Sequence, residues 1–273
     1  MFILQNTTIQ REMKRINQRK IYNTIDYEKL LEPYLNKYEI LLYCDFVKRS
    51  EIGNGEILLI RHDVDHDYLT AKKMADMEYR CGIQATYCLL HSSWYYGRLK
   101  GDCYEHSEQL LETAKYLQER NHEINFHNNL VSVALQQNLD PFKLLEQELA
   151  FFRQHGINIV GTSTHGDGLC RELNFRNWEM FKECCDGLHG GPRKLSYKTD
   201  NGQAEVLLGN TPMSRFGLTY EAYDIARDVY HTDSGSRMRI RKNTRGRRPF
   251  GRTNPNLGSV VGILTHPIWW RFE

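Results

Sequence analysis

The chain has 273 residues, of which 40% are apolar and 26% charged, a balance that excludes disordered, collagenous and mucin-like classes. No apolar run approaches the roughly 20 residues of a bilayer span, and residues 1–6 turn polar too early for a signal peptide. Net charge is 36 − 34 = +2, yet residues 237–252 hold eight Arg/Lys and no Asp or Glu, so the rest of the chain carries 28 basic against 34 acidic groups, or −6.

In chain order, residues 1–26 are polar and basic, with helical spacing around Ile9–Gln18. Tyr27–Leu42 places Leu30, Leu31, Tyr34, Leu35 and Tyr38 near helical spacing, broken by Pro33, and residues 53–55 (Gly-Asn-Gly) signal a turn. The pattern then changes. Glu56–Ile60 is a short continuous apolar run, the mark of a strand buried on both faces. A helix is predicted over Tyr68–Tyr79, closed by Gly82, then a strand over Gln84–Leu90. Leu110, Leu111, Ala114 and Leu117 mark a helix, and Glu123–His127 a strand. Asp140 and Pro141 open a helix through Phe152, followed by a strand over Ile157–Gly161. Such alternation predicts βα units with a parallel sheet or barrel. Further strands are predicted at Leu195–Thr199, Glu205–Leu208, Asp228–Tyr230 and Val260–Thr265. The expected organisation is an N-terminal helical extension over 1–55 and one domain over 56–273.

Polar residues gather where these strands stop: Asp63, Asp65, His127, His165 and His266. In parallel α/β folds that rim is where sites are built. Asp63 and Asp65 stand two apart, so an extended strand points both to one side. Two carboxylates side by side repel unless a cation neutralises them or one is protonated. One carboxylate with two imidazoles makes a facial set for Zn²⁺ or Fe²⁺. The other carboxylate is left to take a proton. His62, His66 and His122 fall out of phase with this face and are expected to cap or pack.

The ordered segments 61–65 (Arg-His-Asp-Val-Asp), 82–87 (Gly-Ile-Gln-Ala-Thr-Tyr), 121–127 (Asn-His-Glu-Ile-Asn-Phe-His), 163–166 (Ser-Thr-His-Gly) and 264–267 (Leu-Thr-His-Pro) resemble the motifs of the NodB-homology polysaccharide deacetylases. The resemblance spans about residues 56–270 and is nearest to a divergent branch associated with surface-polysaccharide biosynthesis. It implies an irregular (β/α)7 barrel and a divalent metal, most often zinc, with Fe²⁺, Co²⁺ or Ni²⁺ as alternatives. It also implies removal of an N-acetyl group from an amino sugar. By position, Asp63 would be the general base, Asp65 and His127 metal ligands, and His266 the general acid. The family's second motif has another histidine where this chain has Val131; His165 is the expected replacement. The family's third-motif Arg-x-Pro-Tyr is absent, and nothing in residues 163–168 supplies its arginine. An inactive, glycan-binding relative is the alternative function.

Asp233, in the segment 230–235 (Tyr-His-Thr-Asp-Ser-Gly), is a candidate partner for His266, or an ordinary turn cap. Trp269, Trp270 and Tyr95 offer aromatic faces to a sugar, with at most one ring of the tryptophan pair expected at the site. Arg237 and Arg239 begin the basic segment. That segment reads as a loop for a phosphate-bearing substrate, as a solvated loop, or as a nonspecific nucleic-acid contact. Seven cysteines without a CxxC spacing argue against a disulfide framework or a thiolate zinc site, and the expected compartment is the cytoplasm.

Overall fold

A computed structural model describes residues 20–49, 55–185, 191–199, 202–244 and 259–273. The strands of its main sheet are β1 (Glu39–Leu41), β2 (Ile57–Val64), β3 (Thr86–Leu90), β4 (Glu123–Asn128), β5 (Gly161–Thr164), β6 (Tyr220–Glu221), β7 (Arg227–Thr232), β8 (Arg239–Thr244) and β9 (Val260–Thr265). Their order is β6-β5-β4-β3-β2-β9-β7-β8. All pairings along this path are parallel except that of β8, which returns antiparallel on β7. Strand β1 pairs with the first half of β2, Ile57–Leu59, and β3 with its second half, Arg61–Val64.

The helices are α1 (Thr24–Leu31), α2 (Tyr43–Lys48), α3 (Tyr68–Arg80), α4 (Glu108–Gln118), α5 (Leu130–Gln137), α6 (Pro141–Gln154), α7 (Gly168–Glu172) and α8 (Lys182–Cys185). Local chemistry sets their starts. The Asp67 carboxylate accepts from Thr70 N at 2.9 Å, and Asp140 accepts from Phe142 N at 2.8 Å with Pro141 at the first helical position. No helix among the described residues is long and apolar enough to cross a membrane.

The fold is mixed α/β with a curled sheet. The curl brings Tyr220 of the edge strand β6, and Ala222 just past it, into one buried cluster with Ile57, Leu59 and Val260 of the sheet's middle and Tyr43 of α2. Among the described residues no pairing joins β6 to β7 or β8, so hydrogen bonds leave the sheet open. Strand alternation assigns the faces. Along β2, Ile57 and Leu59 belong to the inner cluster, whereas Leu58, Ile60 and Val64 join the larger outer core under the helices.

Several sequence expectations shift. The strand expected over Ile157–Gly161 begins only at Gly161. The near-helical spacing read over 27–42, with its break at Pro33, gives a helix only as far as Leu31, and Glu39–Leu41 is a strand. Within 1–55, residues 22–48 are built into the same body: β1 joins the main sheet, and Tyr27 and Tyr43 are fully buried. The spacing around Ile9–Gln18 lies outside the described residues. The predicted strands at 195–199 and 205–208 form a separate antiparallel hairpin, Arg193–Thr199 with Gly202–Leu208.

Candidate metal centre

The inner face of β2 runs from apolar to charged. Ile57 and Leu59 are followed by Arg61 and Asp63, and Asp65 stands just past the strand end. His127 lies near the end of β4, His165 directly after β5 and His266 directly after β9. Parallel pairing brings all four strand ends to one rim, and there the five sequence-predicted residues converge.

Asp65, His127 and His165 each offer a donor atom, all within 4.8 Å of one another. His127 Nε2 and His165 Nδ1 lie 3.3 and 3.5 Å from Asp65 Oδ1, and 3.3 Å from each other. A tetrahedral ion with bonds of about 2.0–2.1 Å separates its ligand atoms by roughly 3.3–3.4 Å, so the triangle fits such an ion with one vertex left open. Protonation supports the fit. His127 Nδ1 is 2.7 Å from the Ser163 carbonyl, which can only accept, so that nitrogen carries the proton. In the neutral ring, Nε2 then presents a lone pair to Asp65 and His165. Asp65 Oδ1 is buried and receives no aligned hydrogen bond. Lone pairs facing a carboxylate oxygen need a proton or a cation between them.

Burial opposes ionisation of Asp65, but the His127 and His165 imidazoles hold it well below the usual carboxylate range. For His127, burial favours the neutral ring, and Asp63 and then Asp65 outweigh it and raise the pKa. Asp63 and His127 are 1% exposed and form the floor. Asp65, His165 and His266 are partly exposed and form the open rim.

Asp63 stands beside this triangle, with Oδ2 at 3.7 Å from His127 Nε2 and 3.9 Å from His266 Nε2. Its counter-charge is Arg61, fully buried, whose Nε lies 3.0 Å from Asp63 Oδ1 and which stacks on the Tyr223 ring at 4.3 Å. Burial raises the Asp63 pKa, and Arg61 foremost brings it back below the ordinary value. The pair is local: Arg61 and Asp63 stand two apart on one strand, so both side chains point to the same face.

His266 is oriented by Asp233. The Asp233 Oδ1 is 2.5 Å from His266 Nδ1, and Oδ2 accepts from His266 N at 2.9 Å. Burial would lower the His266 pKa; the Asp233 hydrogen bond and charge reverse this and push it up to about 9. Asp233 is fully buried and meets the rim only through His266, so it is the expected partner of that ring and offers no surface for direct contact with a ligand.

The other expected contacts separate. Tyr95 is fully buried; its hydroxyl donates to Val64 O at 2.8 Å and accepts from Leu90 N at 3.1 Å, tying β2 to β3 rather than lining a groove. Trp269 is half-buried against the core, whereas Trp270, fully buried, donates from Nε1 to Asp233 Oδ2 at 2.6 Å. Arg237 and Arg239 are exposed, and Arg239 opens β8 opposite Thr232, next to Asp233. The remainder of the basic segment, 245–252, lies outside the described residues. Val131 is buried in α5, away from a ligand role. His62, His66 and His122 bond Glu78, Ser93 and backbone respectively.

Sequence reading missed Asn177. Its amide donates to the His165 carbonyl and to Asn129 Oδ1, both at 3.0 Å, and so fixes the loop that carries His165. Nothing local marked it, because it sits in a short 3₁₀ turn far along the chain. No protein-family model, curated protein or solved structure matches the chain.

Proposed function

We propose that this protein is a metal-dependent hydrolase that removes an N-acetyl group from an amino sugar, on the irregular seven-stranded barrel of the polysaccharide deacetylases. The observation that carries the reading is the triangle of Asp65, His127 and His165, with Asp63 on one side and the Asp233–His266 pair on the other. A bound Zn²⁺ or similar divalent cation would supply Lewis acidity toward the acyl oxygen and make water nucleophilic near neutral pH. Asp63, ionised beside Arg61, accepts the proton of the attacking water. His266, protonated through Asp233, donates from Nε2 to the leaving amine. The two groups face each other across 3.9 Å, close enough to serve a single reacting carbon in turn. The amino-sugar substrate rests on the motif resemblance, and the hydrolytic chemistry on the side chains.

The test is metal content together with acetate release. Purified full-length protein loaded with Zn²⁺ should hold about one ion per chain and release acetate from a short chito-oligosaccharide or another N-acetylated glycan. Asp65→Ala should lose both. A wild type that takes up no divalent ion overturns the reading. A metal-loaded protein that binds glycans and never turns them over is instead the inactive relative.

A further inference from the structure

We propose that Trp270 is a positioning residue for His266, and that the segment Tyr22–Leu31 serves the same site by clamping the Trp270 ring. The proposal rests on the reading of His266 as the acid of a hydrolytic site.

Asp233 accepts from three donors: His266 Nδ1 on one oxygen, and His266 N with Trp270 Nε1 on the other. Removing the indole leaves Oδ2 one backbone N–H and frees the carboxylate to turn about its Cβ–Cγ bond. The plane of that carboxylate sets the plane of the imidazole, and so the direction of Nε2. A buried indole N–H needs an acceptor; here the acceptor is the carboxylate that holds the acid.

The ring itself is gripped from the chain's other end. Tyr22 pairs in parallel with Trp270, and its ring centroid lies 4.9 Å from the indole. Tyr27, at the first turn of α1, meets the indole edge-on at 5.4 Å. The Tyr22 hydroxyl accepts from Met238 N at 2.7 Å, which ties the segment to the loop following Asp233. Tyr27 also donates to Glu78, Glu78 meets His62 at 2.8 Å, and His62 meets the Thr265 hydroxyl at 2.6 Å, one residue before His266. One helix therefore braces His266 through both Thr265 and Trp270.

Trp270→Phe tests this, because it keeps an aromatic ring between Tyr22 and Tyr27 and deletes only the donor. In the zinc-loaded full chain, kcat on a chito-oligosaccharide should fall about 10–100-fold, the usual cost of losing an outer orienting partner. KM and metal content should stay as in wild type. Independently of turnover, NMR should show a Trp270 indole N–H protected from exchange and displaced in Asp233→Asn, with His266 ring signals shifted in Trp270→Phe. Tyr22→Leu, which loosens the clamp and leaves the hydrogen bond, should lower kcat less and speed indole exchange; it carries the test should Trp270→Phe not fold. Unchanged kcat, or His266 signals identical in wild type and Trp270→Phe, overturns the proposal. If the wild type itself releases no acetate, the hydrolase reading fails, and the NMR comparison still decides whether Trp270 holds His266.

Discussion

Arg61 and Asp63 form an ion pair that meets no solvent, and this makes the behaviour of one side chain depend on the other. Removing one partner of a buried pair strands the other charge, at a typical cost of about 3–5 kcal/mol. Asp63→Asn should therefore do two things. Under the proposed function it should retain the metal, because the candidate ligand atoms belong to Asp65, His127 and His165, and it should cut turnover roughly 10²–10⁴-fold, the range for a positioned proton acceptor. It should also lower the melting temperature, since Arg61 loses its counter-charge. Metal analysis, acetate release and thermal unfolding of this variant separate the effects. An equally active Asp63→Asn enzyme would move the base elsewhere. The period-two spacing of Asp63 and Asp65 was legible from sequence; Arg61 as the counter-charge in the same row was not.

Elements meet at His91, directly after β3, where one ring joins three parts of the fold. Its Nε2 accepts from Asn129 N, before α5, at 2.9 Å, so in the neutral ring Nδ1 carries the proton and donates to the Tyr104 hydroxyl of the 97–106 hairpin at 2.8 Å. The ring stacks on Phe126 at 5.1 Å. Burial, helped by the nearby His127 and His165, lowers its pKa to about 3. The native ring therefore stays neutral in a pH range where the unfolded chain, with an ordinary value near 6.5, binds a proton. Its stabilising contribution is complete above about pH 6.5 and falls as pH drops toward 3, by about 1.4 kcal/mol per pH unit. His91→Gln keeps an acceptor for Asn129 and cannot titrate, so its denaturant midpoint should fall less steeply between pH 6 and 4 than that of wild type. Parallel curves would place the acid sensitivity at other groups. Helix α5 was invisible in the sequence reading, since Leu130–Leu135 is buried all round and shows no polar face to mark a period.

At the scale of the molecule, the curl of the sheet decides what touches what. Tyr220, beyond β5 at one edge, lies over Gly161, and a Cβ at 161 would collide with its ring. The Tyr220 hydroxyl is fixed by Glu123 at 2.6 Å and Asn125 at 2.8 Å, so the ring cannot retreat. Gly161→Ala should destabilise the fold by about 1–3 kcal/mol through overpacking. Gly55→Ala, with nothing within 4 Å, should stay within about 0.5 kcal/mol of wild type. Urea unfolding of both variants checks the difference, and equal midpoints would mean that the inner face has slack. The N-terminal residues 22–48 belong to this same packing. Tyr27 and Leu31, four apart, are the buried face of α1, whereas Tyr22 and Tyr43 have no periodic signal to mark them.

What the chain's order of residues determined by itself was local and repetitive. Apolar runs ending in Asp63, His127 and His266 told where strands stop and that their ends carry chemistry, because alternation along an extended backbone needs no knowledge of neighbours. Tertiary structure alone decided which ends meet. Between a partner for His266 and a turn cap, only the fold chose for Asp233; Trp270 is held by Tyr22 from the opposite end of the chain, and Asn177 holds the His165 loop. Contacts of that kind come from strand order and sheet curvature, which arise when many weak preferences are satisfied together and which no short window of sequence encodes.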